Sequence, residues 1–243
     1  ALSGEASERL TPVRLDVTDA TSIAESIALV RDSVGAGGLT GLVNNAGIAV
    51  GKPLEALTVD ELRAQFEVNV FGLHGVTRAA LALVRAGHGR VVNISSIAGR
   101  ISNPITGPYA ASKHAVEALT SALRQELAPE GLHVASVMPG VIATPIWDKA
   151  TVAADQTQLE PPLDTRYARF VDAMERRIRE APRIGAPPSV VSAAVEHALT
   201  ARRPRTHYLC GHDAKAGAWL QWALPPRAFE WVIRRLMWSD GSA

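Results

Sequence analysis

Short apolar runs alternate along the chain with longer segments that carry apolar residues at helical spacing. Five short runs are predicted as strands, because branched apolar residues dominate them and turn-forming residues end them; they cover residues 13–17, 39–44, 89–95, 132–138 and 206–210. Helices are predicted over residues 21–34, 58–85, 107–127, 166–180 and 189–201. Strand–helix–strand alternation indicates parallel strands joined by helical crossovers. The predicted fold is therefore α/β, a doubly wound parallel sheet in a single domain over residues 1–243.

The charge balance and the distribution of apolar residues exclude several classes of protein. The 243 residues include 25 basic and 24 acidic side chains, and this net charge of +1 argues against general electrostatic binding of nucleic acid. The single cysteine, Cys210, excludes an internal disulfide. No run of about 18 apolar residues occurs, and residues 1–10 lack the apolar core and basic flank of a signal peptide. We therefore expect a cytoplasmic protein with no nucleic-acid partner.

Small and polar residues follow four of the predicted strands. Ligands of open α/β sheets bind beyond the carboxyl ends of the strands. The residues at those ends are Asp16-Val17-Thr18, Asn44-Asn45-Ala46-Gly47, Ser95-Ser96 and Pro139-Gly140. Any one of these segments fits a simple turn, whereas four in register favour a binding site. Gly47 and Gly140 would let a flat ligand approach the backbone closely.

Tyr109 and Lys113 are four residues apart near the start of a predicted helix, so they share a face. A tyrosine with its ordinary pKa of about 10 is too weakly acidic to act as a base at neutral pH. A nearby ammonium group favours the phenolate, so we expect Lys113 to lower the pKa of Tyr109. Ser96 lies at the end of a strand and could donate a hydrogen bond to a substrate oxygen. Each feature alone also fits an ordinary structural role: Lys113 could be a surface lysine on an amphipathic helix, and Ser96 could be a serine in a turn.

Taken together, these residues resemble the short-chain dehydrogenase/reductase family. The matching segments keep the family's order, and they are Asn44-Asn45-Ala46-Gly47, Asn69 within Val68-Asn69-Val70-Phe71-Gly72, Ser95-Ser96, Tyr109-x-x-x-Lys113 and Pro139-Gly140-Val141-Ile142-Ala143-Thr144. Residues 97–147 and the tail beginning near Leu209 resemble the branch of the retinol and hydroxysteroid dehydrogenases. The resemblance implies a Rossmann-like fold, NAD or NADP as cofactor, and interconversion of an alcohol with a ketone or aldehyde. The implied substrate is a bulky apolar molecule such as a steroid, a retinoid or a lipid alcohol.

The resemblance also implies a role for each matching residue. Tyr109 would be the general acid/base, Lys113 would lower the pKa of Tyr109 and bind the nicotinamide ribose, and Ser96 would hold the substrate carbonyl. Asn69 would support a water-linked proton relay with Lys113, or it is simply a helix-kink residue. Cofactor contacts are expected from Tyr109, Lys113, Asp16, Val17, Asn44, Ala46, Gly47, Pro139, Gly140, Ile142 and Thr144.

One part of the family pattern does not occur in these 243 residues. The family binds pyrophosphate at a glycine-rich turn after its first strand, and no Gly-x-x-x-Gly-x-Gly pattern is present. The predicted strand over residues 13–17 matches the family's third strand. In the family's strand order, the first two strands lie between that strand and the one over residues 39–44. We therefore expect that the first βαβ unit is missing and that residues precede Ala1 in the natural protein. A chain of 243 residues should then bind a dinucleotide poorly.

Two further regions bear on substrate and partners. Residues 141–185 correspond to the part of the family that covers the substrate. The aromatic tail over residues 213–243 holds four of the five tryptophans, Trp219, Trp222, Trp231 and Trp238. We expect the tail to form two helical pieces that pack on the core or on a second subunit; the alternative is an interfacial helix that rests on lipid and makes the protein membrane-peripheral. A homo-oligomer is also expected, because the predicted helices over residues 58–85 and 107–127 resemble the family's subunit interface.

The sequence also allows three other functions. A non-catalytic binding or scaffold protein on the same fold would not need Ser96, Tyr109 and Lys113 together. The pattern His207-x-x-Cys210-x-His212-Asp213 could hold a metal, but on a strand followed by a turn it is more often chance, so no metal is predicted. A serine hydrolase would need a Gly-x-Ser-x-Gly elbow, which does not occur.

Overall fold

Four parallel strands form the centre of the molecule in the computed structural model, which describes residues 10–144 and 163–238. The strands are β1 (Gly41–Asn44), β2 (Arg90–Ile94), β3 (His133–Pro139) and β4 (His207–Cys210), and they lie side by side in chain order. Every neighbouring pair is parallel, so all the carboxyl ends meet at one edge of the sheet. The predicted α/β class with a parallel sheet is confirmed.

Helices connect the strands and cover both faces of the sheet. They are α1 (Ala20–Val34), α2 (Val59–Phe66), α3 (Leu73–Ala86), α4 (Gly107–Leu127), α5 (Leu163–Ile184), α6 (Ser189–Thr200), α7 (His212–Ala223) and α8 (Pro226–Trp238). On one face, Val91 and Val134 pack against α3 and α4. On the other face, Val92 and Val137 pack against α6. The alternation along β2 and β3 explains why these strands are apolar throughout, as strands buried on both faces must be.

The predicted strand over residues 13–17 is wrong. This segment runs without sheet pairing into α1, where the Asp19 carboxylate accepts a hydrogen bond from Thr21 N at 2.8 Å and caps the helix. Val13 and Leu15 are 38% and 41% exposed. A strand requires a neighbouring strand for its backbone groups, and in the described part of the chain the backbone of Arg14 and Asp16 bonds serine side chains of α1 instead. The expectation about residues before Ala1 stays a prediction.

The helix predicted over residues 58–85 is divided into three parts. Its start is as expected, because Thr58 and Glu61 form a capping box that begins α2. A π-helical segment, Glu67–Gly72, then separates α2 from α3. Gly72 allows a close approach there, since a Cβ at this position would lie 2.8 Å from atoms of Val17. The wider π turn therefore interrupts a helix that periodicity alone predicts as continuous.

The remaining predicted elements agree with the structure to within a few residues. The long helix over residues 107–127 has the predicted bounds, and α5 is longer than predicted at both ends. The region predicted as a loop or lid over residues 145–162 lies outside the described residues. Among the helices described, none combines the length and the apolar character needed to cross a bilayer. The homo-oligomer stays a prediction.

Candidate active site

Ser96 follows β2 at the carboxyl edge of the sheet. Its backbone is extended, with φ −165° and ψ 163°, and its hydroxyl accepts a hydrogen bond from Ala98 N at 3.1 Å to begin the short turn Ile97–Gly99. The same hydroxyl can donate to the carbonyl oxygen of Pro139 across the neighbouring strand, 3.4 Å away. Ser96 is therefore a buried residue held at the junction of β2 and β3.

Tyr109 and Lys113 lie on the first turns of α4, which passes beside the end of β2. The Nζ atom of Lys113 lies 5.7 Å from the centroid of the Tyr109 ring. It donates a hydrogen bond to the carbonyl oxygen of Ile94 at 2.9 Å, and the lysine is 5% exposed. The end of β2 and the start of α4 meet, so the structure brings Ser96, Tyr109 and Lys113 together.

Burial governs the ionisation of both groups on α4. Burial lowers the pKa of Lys113 to about 8, with Glu117 on the next turn acting in the opposite direction. Burial also raises the pKa of Tyr109, and a hydrogen bond with Ser96 lowers it in part. The expectation that Lys113 lowers the pKa of Tyr109 stays a prediction.

Asn69 is buried within the π-helical segment and binds the chain that follows β1. Its Oδ1 accepts from Ile48 N at 2.8 Å, and its Nδ2 donates to Ile48 O and to Ser112 Oγ, both at 3.0 Å. A Cβ at Gly47 would lie 3.3 Å from Asn69 Oδ1 and 3.7 Å from Lys113 Nζ. Gly47, Asn69 and Lys113 therefore converge on one space, which the missing side chain of Gly47 leaves open.

Gln65 also holds this loop, and sequence reasoning missed it. It is fully buried, accepts from Val50 N at 2.6 Å and donates to Ile48 O at 2.8 Å. Gln65 lies one helical turn before Asn69, so a shared polar face could have revealed it.

The side chain of Asn44 does not face the carboxyl edge. Its Nδ2 donates to Thr77 Oγ1 and to Asn93 Oδ1, both at 2.8 Å, and Asn93 in turn donates to Thr120 Oγ1. This buried network crosses the sheet beneath the site. Because this network engages the side chain of Asn44, only its backbone could contact a cofactor. Ala46 and Gly47 are exposed at the carboxyl edge of the sheet.

The loop after β3 is held in place by α7. Gly140 N donates to Cys210 O, and Val141 N donates to the Asp213 carboxylate at 2.7 Å. A Cβ at Gly140 would overlap that carboxylate, so the glycine is required by Asp213 whether or not a ligand approaches. The sequence pattern allows Asp213 as a metal ligand. In the structure its carboxylate instead fixes the segment that contains Pro139, Gly140, Ile142 and Thr144. Ile142 in turn forms a parallel bridge with Ala186.

Asp16 and Val17 precede α1. Thr18 donates twice to the Asp16 carboxylate, from its backbone at 2.9 Å and its hydroxyl at 2.7 Å, and these bonds lower the pKa of Asp16. Val17 contacts the π-helical segment at Gly72, three residues from Asn69. The two residues therefore lie beside the π-helical segment and not at the end of a strand, with Asp16 exposed and Val17 half-buried.

The tail packs through small residues and exposes large ones. Ala214 and Ala218 of α7 are buried, and Gln221 Nε2 donates to Arg100 O at 2.6 Å, just beyond the Ser96 turn. The helix α8 lies against α5. The expected packing of the tail on the core is confirmed for α7. The large apolar side chains that remain exposed on α7 and α8 are Trp219, Trp222, Trp231 and Leu236, at 62%, 84%, 55% and 61%.

The chain is similar in sequence to known dehydrogenases. The sequence model of the short chain dehydrogenase family matches residues 1–155. The chain is 36% identical over 237 residues to human dehydrogenase/reductase SDR family member 9, covering 95% of this chain and 74% of that protein. It is 39% identical over 243 residues to mouse retinol dehydrogenase 5, covering 95% and 76%.

Solved structures of dehydrogenases have the same fold. A short chain dehydrogenase from Burkholderia cenocepacia in complex with NADP is 26% identical, with a TM-score of 0.69 over 93% of this chain and 79% of that chain. A short chain dehydrogenase/reductase from Burkholderia phymatum in complex with NAD is 26% identical, with a TM-score of 0.73 over 89% and 75%.

Proposed function

Since this chain belongs to the short-chain dehydrogenase family, in the branch of the retinol dehydrogenases, and is an NAD(P)-dependent oxidoreductase, we propose that it interconverts a bulky apolar alcohol with its ketone or aldehyde. The observation that carries the proposal is the convergence of Ser96, Tyr109 and Lys113 at the carboxyl edge of the sheet. Similarity to retinol dehydrogenases supports a steroid, a retinoid or a lipid alcohol as the substrate class.

The space beside Gly47 fits the nicotinamide end of the cofactor. The buried ammonium group of Lys113 borders it and can bond the hydroxyl groups of a ribose. The absence of a Cβ at Gly47 leaves room against Lys113 and Asn69. When bound, NAD or NADP supplies or accepts the hydride. Lys113, Gly47 and the segment after β3 would hold it, including Gly140, Ile142 and Thr144.

The protein's own groups handle the proton and the substrate oxygen. Ser96 donates a hydrogen bond to the substrate oxygen and so fixes it beside Tyr109. Tyr109 gives its hydroxyl proton to that oxygen during reduction and takes it back during oxidation. The raised pKa of Tyr109 keeps it protonated in the unliganded protein, which suits the reducing direction. Asn69 holds the Ile48 backbone beside Lys113 and would anchor a water that carries the proton away.

We propose that residues 141–185 cover the substrate. The described part of this region reaches across the site, because Tyr167 and Arg166 of α5 bond the Glu55 carboxylate at 2.8 and 3.1 Å. Glu55 lies on the chain that follows β1, whereas Ala186 beyond α5 bonds to Ile142 and its neighbours. The segment is thus tied to both sides of the carboxyl edge.

A substrate panel tests this proposal. With NAD⁺ and NADP⁺ each supplied in turn, kcat/KM is expected to be at least about tenfold higher for a hydroxysteroid or retinol than for a short polar alcohol, because each buried methylene contributes about 0.8 kcal/mol. Matched pairs that differ in chain length, such as 2-butanol and 2-decanol, isolate the apolar contribution. A preference for glycerol-like polyols would contradict the apolar substrate class.

We further propose that the exposed tryptophans of the tail contact a membrane surface. Trp219 and Trp222 project from α7, and Trp231 on α8 has the Arg235 guanidinium 5.6 Å from its ring centroid. Aromatic rings beside arginines suit the boundary between lipid headgroups and acyl chains, and anionic lipid favours the basic side chains.

Replacing Trp222 and Trp231 together by serine is expected to reduce co-sedimentation with vesicles of anionic phospholipid by at least about fivefold, since two large apolar side chains are lost from the contact. Leu29→Ser on α1 removes another exposed apolar side chain, 58% exposed, and serves as the matched control. Equal sedimentation of the wild type and the double variant would contradict the proposal that these tryptophans contact a membrane surface.

A further inference from the structure

Glu117 lies on α4 one turn beyond Lys113, and its carboxylate bonds β3 and lies close to β4. Its Oε1 accepts a hydrogen bond from Ser136 Oγ on β3 at 2.5 Å, and its Oε2 lies 3.7 Å from Nε2 of His207 on β4. Ser136 and His207 are register partners in the sheet. The carboxylate therefore bonds α4 to β3 and lies beside His207 of β4, with which it forms an ion pair only when the imidazole is protonated.

The stem of Glu117 also lies against the turn that carries Ser96. A Cβ at Gly99 would lie 2.9 Å from Glu117 Cγ and from the carbonyl oxygen of Lys113. The turn Ile97–Gly99 is thus seated on α4 between Lys113 and Glu117. Residues four apart on a helix have their Cβ atoms about 5–6 Å apart, which brings the carboxylate within electrostatic reach of the ammonium group.

From this geometry we propose that Glu117 is a positioning residue for the Ser96–Tyr109–Lys113 group. It fixes β3 and the Ser96 turn against α4, and its negative charge keeps the buried ammonium of Lys113 protonated. The inference rests on the proposed function, because it assigns Glu117 a part in the same reaction. Lys113 needs such support, since burial favours the neutral amine.

Other titratable or charged groups face this pair from α4, from the turn after β2 and from β4. They are Tyr109, Arg124, Arg100 and His207. Burial lowers the pKa of His207, with Arg124 and Arg100 acting in the same direction and Glu117 against them. The imidazole is therefore neutral at alkaline pH and does not titrate together with Lys113. Arg124 is engaged with the carbonyl oxygen of Val134 at 2.7 Å.

The test compares Glu117→Gln with Glu126→Gln, an exposed glutamate on the same helix that serves as the matched control. Activity falls at alkaline pH as Lys113 loses its proton. Glu117→Gln is expected to move this fall in kcat/KM to lower pH by about one pH unit. Glu126→Gln should leave it in place. A merely structural role for Glu117 would lower kcat without moving the pH at which activity is lost, and that result would overturn the proposal.

A second measurement needs neither cofactor nor substrate. The sequence has four lysines, Lys52, Lys113, Lys149 and Lys215, so the ε-carbon resonance of Lys113 can be assigned by its loss in Lys113→Met. Its titration in the unliganded protein is expected to shift downward by about one pH unit in Glu117→Gln. This result would stand even if no alcohol were oxidised, which separates failure of this proposal from failure of the proposed function.

Glu117→Asp separates charge from bonding. The shorter side chain keeps the negative charge but withdraws it from Ser136 and His207. The titration of Lys113 is expected to remain within about half a pH unit of the wild type, whereas the melting temperature falls. If Glu117→Asp shifts the Lys113 titration as far as Glu117→Gln does, the carboxylate charge is not the cause and the proposal fails.

Discussion

Replacing Tyr109 by phenylalanine is expected to lower kcat by about three orders of magnitude, since the variant removes the group proposed to transfer the proton. The aromatic ring remains, so packing at the start of α4 and the KM for substrate should change little. Measurement of kcat at saturating cofactor, together with thermal unfolding, checks both expectations. Retention of more than about a tenth of the wild-type kcat would contradict the assignment of Tyr109.

Tyr208→Phe provides the matched control because it also removes one phenol hydroxyl. The hydroxyl of Tyr208 accepts from Arg205 N and bonds His197 Nδ1, both at 2.9 Å, on the β4 side of the sheet. Its loss leaves these partners unpaired and is expected to lower the free energy of unfolding by about 1–2 kcal/mol. Activity should persist. The two variants thus separate a chemical role from a structural one.

The sequence predicts the site where its geometry follows from local structure. Ser96 must lie at the carboxyl edge because it ends an apolar strand, and Tyr109 and Lys113 must share a face because they are four apart on a helix. Parallel pairing then brings these two places together. The same logic places Gly47 at this edge, whereas only the family resemblance placed Asn69 near Lys113; both meet there.

The sequence fails where the outcome depends on tertiary contacts. Residues 13–17 have the composition of a strand, but sheet pairing is decided by the neighbouring chain and not by composition. The π-helical segment at Asn69 is equally invisible to helical periodicity. Asp213 has a role only because its carboxylate meets the backbone of Val141, 72 positions earlier in the chain.

The ionisation of Tyr109 was also beyond sequence reasoning. The spacing correctly places an ammonium group on the same face, yet it gives no information on burial or on where the ammonium group is bonded. Burial raises the pKa of Tyr109, and the hydrogen bond with Ser96 opposes that effect. Local spacing therefore predicts which residues meet, whereas the electrostatic result depends on how deeply they lie.

Lys113→Met is expected to abolish activity and to raise stability at neutral pH. The pKa of the Lys113 ammonium falls from 10.5 to about 8 on burial in the folded protein. Holding the proton below pH 8 therefore costs the folded state about 3 kcal/mol. Methionine is of similar length and carries no charge, although it loses the hydrogen bond to Ile94 O, worth about 1 kcal/mol. The net expectation at pH 7 is a gain of about 2 kcal/mol, with kcat/KM reduced by at least about 100-fold.

The pH dependence of this gain has a definite sign. Between pH 8 and pH 10.5, the unfolded wild type binds more protons at Lys113 than the folded protein does, so wild-type stability from this group rises with pH. The advantage of Lys113→Met should therefore shrink across that range and reverse to a deficit of about 1 kcal/mol at its upper end, where only the lost hydrogen bond to Ile94 O counts. Urea unfolding at several pH values measures it. Lys52→Met removes an ammonium paired with Glu61 at 2.7 Å and should instead be destabilising. If the gain in stability from Lys113→Met stayed constant with pH, the cost of burying the ammonium charge would not be its cause.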